Sequence, residues 1–218
     1  MSPVRDNGRV ALITGAARGI GAATVQALAS EGWSVLALDS VVDDPALPYR
    51  LGTAAELAAV IEQAREHAGD RVQPFVADVR DLAGLQAAVD EAEGRWGGLD
   101  AALAVAGVIA GGVPLWQLPA DQERAVLDID LGGVLGLARV AVPALLRRPA
   151  PRSGRFLAVA SAAATQGLPM LAAYCAAKAG ATGLIRAWVV ESAPHGATAN
   201  VVSPGSTSTP ILEETARL

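Results

Sequence analysis

The stretch Val10-Ala11-Leu12-Ile13-Thr14-Gly15-Ala16-Ala17-Arg18-Gly19-Ile20-Gly21 decides the fold. Its short apolar run, residues 10–13, leads into a glycine-rich turn and then into an Ala-rich helical pattern from about Ile20 to Glu31. A short apolar run that ends at a turn signal predicts a buried strand. Short apolar runs alternate with helical patterns along the rest of the chain, which predicts βαβ units in a parallel, doubly wound α/β sheet with helices on both faces.

The other predicted elements follow the same alternation. Strands are predicted at residues 33–38, 72–77, 99–106, 156–160 and 198–202, and helices at about 53–67, 82–96, 121–147 and 171–191. The first of these helices opens with a capping box, Thr53-Ala-Ala-Glu56. No sequence repeat or low-complexity linker divides the chain, so residues 1–218 are interpreted as one domain.

Composition excludes several classes of protein. Of the 218 residues 52% are apolar and 18% are charged, which is enough apolar material for a buried core and excludes a disordered chain. The net charge is −5 and no basic run is present, so no nucleic-acid partner is expected. The single cysteine, Cys175, excludes an intrachain disulfide and a Cys-rich zinc site, and no metal site is predicted.

Two long stretches that are nearly free of charge have the length of a membrane span, residues 99–120 apart from Asp100 and residues 156–177. Glycines, prolines and polar residues interrupt both. Buried strands that run into loops explain them better, so no membrane contact is expected. Residues 1–6 contain no apolar segment of a secretory signal, so a cytoplasmic location is expected.

The glycines of the turn have the spacing G-x3-G-x-G, which suits a dinucleotide. Gly15 is expected to form the turn, Gly19 to let a pyrophosphate approach the backbone, and Gly21 to let the helix pack close to the sheet. The helix that begins near Ile20 would direct its N-terminal amides at the phosphates. A glycine triplet alone is weak evidence, since a strand-to-helix turn often needs glycine for its conformation.

Asp39 ends the second predicted strand, about 20 residues beyond the turn, where a carboxylate binds the ribose 2′-hydroxyl of a dinucleotide. That carboxylate would repel a 2′-phosphate, so NAD is expected rather than NADP. Arg18 leaves the choice between NAD and NADP open, because a basic residue at this position could reach a phosphate. The alternative is that Asp39 is only a turn residue before Ser40.

A second motif lies in the C-terminal half of the chain. It consists of Tyr174-Cys-Ala-Ala-Lys178, with Ser161 thirteen residues before the tyrosine. Together with residues 14–21, it resembles the short-chain dehydrogenase/reductase family, from about Arg9 to the end of the chain. The resemblance implies a Rossmann-like fold, a small alcohol or ketone as substrate, and a homodimer or homotetramer.

The resemblance also implies catalytic roles. Tyr174 would transfer the proton of the alcohol or carbonyl, and Ser161 would orient the substrate oxygen. Tyrosine and lysine at i and i+4 share one helix face, and a nearby ammonium favours a phenolate. Lys178 would supply that charge and hold the nicotinamide ribose. The alternative for this pair is an ordinary surface contact.

Further cofactor-binding residues are implied by position in the family pattern. Asp78 and Val79 resemble the adenine-binding pair, while Ala106 and Gly107 would lie beside the cofactor. The segment after the last predicted strand resembles the part that flanks the nicotinamide, with Thr209 at the carboxamide contact. Its candidate residues are Pro204, Gly205, Thr207 and Thr209, although Pro204 and Gly205 could also form a plain loop.

Three departures from the family pattern stand out. Asp130 occupies the position of the catalytic asparagine, and Ala104-Val105 replace two further asparagines. A carboxylate near Lys178 would keep the lysine protonated and partly cancel its effect on Tyr174, unless only the backbone at this position matters. Members of the family continue through another helix and strand, so the last strand is expected to be missing from this chain.

The segment from Val41 to Arg50 is longer than the usual link after the second strand, and it resembles that of the mycofactocin-associated subgroup. The resemblance implies an NAD that does not exchange and that passes its electrons to mycofactocin. Three alternatives stay open: an ordinary solvated loop, a carbonyl reductase with exchangeable NAD(P)H, and a nucleotide-binding protein without turnover.

Overall fold

The computed structural model describes residues 6–149 and 153–215, so both ends of the predicted 1–218 domain lie outside the described residues. Six parallel strands form one sheet in the order β3-β2-β1-β4-β5-β6. The strands are β1 Val10–Thr14, β2 Ser34–Asp39, β3 Val72–Val76, β4 Ala101–Ala104, β5 Arg155–Val159 and β6 Thr198–Val202. The predicted parallel α/β sheet is confirmed.

Helices connect the strands and cover both faces of the sheet. They are α1 Gly19–Ser30, α2 Ala54–Ala68, α3 Leu82–Trp96, α4 Ala120–Leu127, α5 Gly133–Arg147, α6 Ala172–Ser192 and α7 Pro210–Thr215. Side chains of β1 alternate between the faces, as a strand requires. Leu12 packs in the cluster that contains α3, α5 and α6, whereas Ile13 packs in the cluster that contains α1 and α2.

The fourth strand is shorter than predicted. The apolar pattern ran over residues 99–106, but β4 ends at Ala104. The Oγ1 atom of Thr14 accepts the N–H groups of Val105 (3.1 Å) and Ala106 (3.3 Å), so these amides leave the strand ladder. The hydroxyl of the first strand thereby turns the chain away from the sheet at the edge where the cleft lies.

The helix predicted at 121–147 contains an irregularity that has no signal in the sequence pattern. Residues 120–147 are helical throughout, but a π-helical turn, Asp128–Gly132, separates α4 from α5. A π turn widens the helix locally and often marks a functional site. Here it contains Asp130, which is fully buried.

The same 28 residues, Ala120–Arg147, are long and apolar enough to cross a membrane by length and composition alone. Half of the apolar window is buried within the protein, where α5 packs against α3 and the sheet. A core helix of this kind passes the same test, so the composition of this helix follows from its place on the sheet.

Strand order changes direction between β1 and β4, because the chain builds outward through β2 and β3 and then returns to the other side of β1. Loops that leave β1 and β4 in opposite directions open a crevice at the carboxyl ends of the strands. The candidate site occupies this crevice.

Candidate active site

One cleft of about 600 Å³ brings together almost all the predicted site residues. Its volume lies within the usual range of ligand pockets. Of the predicted residues, all but Asp130 line it: Gly15, Arg18, Gly19, Ile20, Gly21, Asp39, Asp78, Val79, Ala106, Gly107, Ser161, Tyr174, Lys178, Pro204, Gly205, Thr207 and Thr209.

The glycine turn holds the chain closer to β4 than any side chain would allow. Gly15 has φ +67°, and a Cβ there would lie 2.6 Å from Cα of Ala106. A Cβ at Gly21 would lie 1.9 Å from the carbonyl oxygen of Gly15. Gly21 therefore lets the first turn of α1 lie directly against the residues that follow β1.

The beginning of α1 suits an anionic group. Arg18 is the N-cap residue, and its side chain makes no capping hydrogen bond to the first turn. The first amides of a helix have no partner within the helix and carry the positive end of its dipole. In this structure they face the cleft beside Gly19, so the turn fits the pyrophosphate of a dinucleotide.

Asp39 is held in place at the end of β2. Its Oδ2 accepts the N–H of Ala17 (3.0 Å), and its Oδ1 accepts the N–H of Val41 (3.1 Å). Val41 has φ +51°, an uncommon conformation for a β-branched residue. The carboxylate is thus fixed at the rim of the cleft, next to the glycine turn.

Asp78 shares a guanidinium with a second acid that sequence reasoning left without a role. Arg80 Nη2 lies 2.6 Å from Asp78 Oδ2, and Nη1 lies 2.7 Å from Asp44 Oδ2. Burial would raise the pKa of Asp78, but the hydrogen bonds and charge of Arg80 outweigh it and lower the pKa. Asp44 is only 6% exposed, so this pair fastens the segment after β2 to the β3–α3 loop.

Residues 41–52, here termed the strap, are fastened at a second point that the sequence did not indicate. Tyr49 Oη donates to the carbonyl of Ile109 (2.9 Å) and accepts the N–H of the same residue (2.8 Å). Burial raises the pKa of Tyr49 far above the usual range of tyrosine. Val42, Leu51 and Gly52 of the strap line the cleft. A lone tyrosine in a loop carries no sequence signal for such a contact.

The three residues expected to do the chemistry meet at the other end of the cleft. Tyr174 and Lys178 lie one turn apart on α6, with Nζ of Lys178 5.5 Å from the centre of the tyrosine ring. Lys178 is 4% exposed, and Nζ donates to the carbonyl of Val159 (3.2 Å). Ser161 follows β5, and its Oγ accepts the N–H of Ala163 (3.1 Å).

Asp130 lies behind Lys178 and does not reach the cleft. Its Oδ2 is 3.1 Å from Nζ of Lys178, in a geometry that makes an ion pair without a well-aligned hydrogen bond. Its Oδ1 accepts the N–H of Val108 (2.8 Å). Burial raises the pKa of Asp130, against the opposing charge of Lys178. The structure therefore places Asp130 beside Lys178 and Val108 and not among the residues that line the cleft.

The segment after β6 closes one side of the cleft. The carbonyl of Pro204 accepts the N–H of Ala162, which ties this segment to the turn after Ser161. The hydroxyl of Thr207 donates to the carbonyl of Gly205, and that of Thr209 donates to the carbonyl of Thr207. Apolar side chains from two segments also line the cleft: Leu168 and Leu171 before α6, and Ile211 and Leu212 of α7.

Among the described residues, no group of three or more histidines, cysteines and acids is placed to hold a metal ion. The polar residues that line the described part of the cleft include Asp39 and Asp78 at one end, Ser161, Tyr174 and Lys178 at the other, and Thr207 and Thr209 of the segment after β6. Such a cleft can bind a dinucleotide across the strand crossover and present its reactive end to Tyr174.

Comparison with known proteins identifies the family to which a chain with this cleft is similar. The family model for the short chain dehydrogenase matches residues 9–217. The chain is 39% identical to (-)-trans-carveol dehydrogenase of Rhodococcus erythropolis, over 96% of this chain and 74% of that protein. It is 36% identical to cis-4-hydroxycyclohexanecarboxylate dehydrogenase of Sinomonas cyclohexanicum, over 94% and 75%. Among solved structures, carveol dehydrogenase of Mycobacterium avium in complex with NAD superposes with a TM-score of 0.88 at 33% identity, over 94% and 73%.

Proposed function

The chain belongs to the short-chain dehydrogenase family, and from this premise we propose that it is an NAD-dependent oxidoreductase that interconverts a secondary alcohol and a ketone. One observation carries the proposal. Tyr174, Lys178 and Ser161 converge at one end of the cleft that has the glycine turn and Asp39 at its other end. A hydride acceptor bound along the cleft therefore ends beside the proton-transfer group.

The cofactor-binding residues divide the work along the cleft. The amides of the glycine turn bind the pyrophosphate, Asp39 accepts the hydroxyls of the adenosine ribose, and Asp78 with Val79 flanks the adenine. The carboxylate of Asp39 excludes the phosphate of NADP. Lys178 binds the other ribose, while residues 204–209 flank the nicotinamide. When bound, NAD supplies the acceptor for the hydride of the alcohol.

The catalytic residues handle the proton. Ser161 donates a hydrogen bond to the substrate oxygen and holds it against Tyr174. In the direction of oxidation, Tyr174 as phenolate removes the hydroxyl proton of the alcohol while the hydride leaves the same carbon. The positive charge of Lys178 favours the phenolate. In the direction of reduction, Tyr174 returns the proton to the carbonyl oxygen.

A ring-borne secondary alcohol suits the substrate end of the cleft. The lining of the cleft includes leucine and isoleucine side chains, among them Leu171 three residues before Tyr174, and such side chains contact hydrocarbon well. The two relatives compared above are named for carveol and for a hydroxycyclohexane acid, both of which carry the hydroxyl on a six-membered ring.

The test is oxidation of a panel of cyclic and open-chain secondary alcohols, including carveol, with Tyr174→Phe as the variant. We expect the cyclic alcohols to react fastest and the variant to lose about 10²–10⁴-fold in rate. Undiminished oxidation by the variant would overturn the role of Tyr174. A protein that binds NAD but oxidises none of these alcohols would instead support the nucleotide-binding alternative.

We further propose that the NAD does not exchange and that mycofactocin accepts its electrons. The fastening of the strap supports this. Both Asp44 with Arg80 and Tyr49 with Ile109 tie residues 41–52 across the adenosine end of the cleft. Release of NAD would require the strap to lift, which breaks the ion pair between the buried Asp44 and the partly exposed Arg80, and the two hydrogen bonds of Tyr49.

Mass spectrometry of nucleotide released by denaturing the protein as purified, with none added, tests this. Near-stoichiometric NAD or NADH supports a retained cofactor and an external electron acceptor. Protein without nucleotide that turns over only with added NAD(P) would favour the ordinary carbonyl reductase. Recovery of NADP would overturn the role of Asp39.

Self-association and location are proposed as well. We propose a homodimer or homotetramer in the cytoplasm. Exposed apolar side chains on α5 and α6 support association: Leu135, Val189 and Val190. Light scattering of the purified protein tests the oligomeric state, and a monomer at micromolar concentration would contradict it.

A further inference from the structure

The pair of Asp130 and Lys178 is a buried charge arrangement whose consequence for the reaction goes beyond the proposed function. Asp130 is fully buried, and Lys178 is 4% exposed. Their 3.1 Å separation is that of a close ion pair. Charges this close act on each other and on their neighbours far more strongly than surface charges, because little water screens them.

Asp130 faces both of the elements that the reaction uses. Oδ1 holds the N–H of Val108, in the segment after β4 that lines the cofactor cleft, and Oδ2 faces the ammonium of Lys178. A Cβ at Gly107 would lie 3.1 Å from Nζ and 3.2 Å from Oδ2, so the backbone of Gly107 packs directly against the pair. The carboxylate therefore fixes the lysine and the cleft wall with one side chain.

An asparagine here would keep the first contact and lose the second. Its amide oxygen would accept the N–H of Val108, as the carboxylate does. Its other atom would be an N–H₂ group, a donor that faces a second donor on Lys178. The choice of aspartate over its neutral isostere thus changes the charge beside Lys178 and not the shape of the site.

From this geometry we propose that Asp130 is a positioning residue that partly neutralises Lys178 and thereby moves the working range of the enzyme to higher pH. The ammonium of Lys178 favours the phenolate of Tyr174, and a carboxylate 3.1 Å from that ammonium opposes it. Proton removal from Tyr174 then needs a higher pH than it would with a neutral residue at position 130. The inference rests on the proposed role of Tyr174.

Other charged groups near the pair do not supply the same effect. On α6, Lys178 and Tyr174 are the groups already considered. The strap contributes Tyr49, whose pKa is raised mainly by burial and further by the charge of Asp130 itself, while Arg18 and Glu214 act on it more weakly. Around the π turn, Arg124, Asp128 and Arg139 are exposed, so water screens them.

Asp130→Asn tests the proposal, with Asp128→Asn as the matched control that removes the same charge from an exposed position of the same turn. The chain has two tyrosines, burial raises the pKa of Tyr49 above the usual range of tyrosine, and Tyr174→Phe identifies the part of the tyrosinate signal that belongs to Tyr174. The near-ultraviolet absorbance of tyrosinate in the NAD-bound protein therefore follows Tyr174 without turnover, and Tyr174→Phe should remove that part of the signal.

We expect Asp130→Asn to move the midpoint of the tyrosinate titration to lower pH by about one unit, because one nearby negative charge is removed. The acid limb of the pH profile for alcohol oxidation should move in the same direction by a similar amount. The control should leave both unchanged. If the asparagine variant does not fold, Asp130→Ser removes the same charge. Midpoints that coincide with wild type, or that move to higher pH, would overturn the proposal. If the tyrosinate midpoint moves but no alcohol is oxidised by any form, the proposed function fails instead.

Discussion

The two ends of the cleft handle charge in different ways. At the adenosine end, Asp39, Asp44 and Asp78 all have partners, either backbone amides or Arg80. At the catalytic end, Lys178 lines the cleft with its counter-charge Asp130 buried behind it, and Tyr174 and Ser161 line the same cleft. The acids at the adenosine end already have hydrogen-bonding partners and fix the shape of the cleft, whereas the hydroxyl groups at the catalytic end can still bind a substrate. The difference indicates that the adenosine end retains the cofactor and that the catalytic end transfers the proton.

Removal of the buried carboxylate should give the largest change in stability. Asp130→Ala leaves the charge of Lys178 buried without its counter-charge and the N–H of Val108 without its acceptor. We expect a loss of about 3–5 kcal/mol in the free energy of unfolding. Urea unfolding measures it, with Asp130→Asn expected to cost less because it keeps the Val108 contact. If the free energy of unfolding fell by less than removal of an exposed ion pair costs, the claim that Asp130 and Lys178 form a buried ion pair would be contradicted.

Removal of the guanidinium at the adenosine end should cost less, because Arg80 is partly exposed. Arg80→Ala leaves the buried Asp44 unpaired and frees Asp78. We expect about 2 kcal/mol of lost stability, and faster release of bound NAD, with the rate of the chemical step kept. Stopped-flow displacement of the nucleotide measures release. Arg95→Ala, which breaks an exposed pair with Glu91, is the control.

Replacement of each tyrosine by phenylalanine makes the same chemical change at opposite ends of the cleft, so the two variants distinguish the roles of the two ends. Tyr49→Phe removes the hydroxyl that holds Ile109 through two hydrogen bonds, which should cost about 1–2 kcal/mol and speed the release of NAD up to about tenfold. Tyr174→Phe should leave retention of NAD unchanged and remove activity. If both variants lost retention equally, the division between the two ends would be wrong.

The smallest effect is expected from an exposed pair of the strap itself. Arg50 and Asp43 lie 3.2 Å apart, but the side chain of Arg50 is 80% exposed. Arg50→Ala should therefore change stability by about 0.5 kcal/mol or less and leave NAD release unaffected. The same displacement experiment checks this, and a large effect would mean that the exposed side of the strap contributes to the grip.

The sequence predicted the elements well and their contacts poorly. Apolar runs and the spacing of Gly15, Gly19 and Gly21 predicted the parallel sheet, because strand burial and turn conformation are local properties. The shorter β4 depends on the hydroxyl of Thr14, which is distant in sequence from the amides that it accepts. Contacts of that kind leave no periodic pattern.

The candidate site shows the same division. The spacing of Tyr174 and Lys178 predicts that they share one helix face, whereas their place in the site follows from the family resemblance. The contact of Tyr49 with Ile109 joins residues 60 apart, and the π turn that buries Asp130 has no signal in the hydrophobic pattern. These features needed the three-dimensional structure.

The most direct test combines both ends of the cleft in one experiment. A cyclic secondary alcohol that the wild-type protein oxidises is mixed, with no free nucleotide, with wild type and Tyr174→Phe that carry equal amounts of their retained NAD. We expect a single turnover in wild type, seen as the absorbance of NADH that remains on the protein, and a rate about 10²–10⁴-fold lower in the variant. Equal rates in the two proteins would contradict proton transfer by Tyr174. Protein that retains no nucleotide would contradict the grip proposed for the strap.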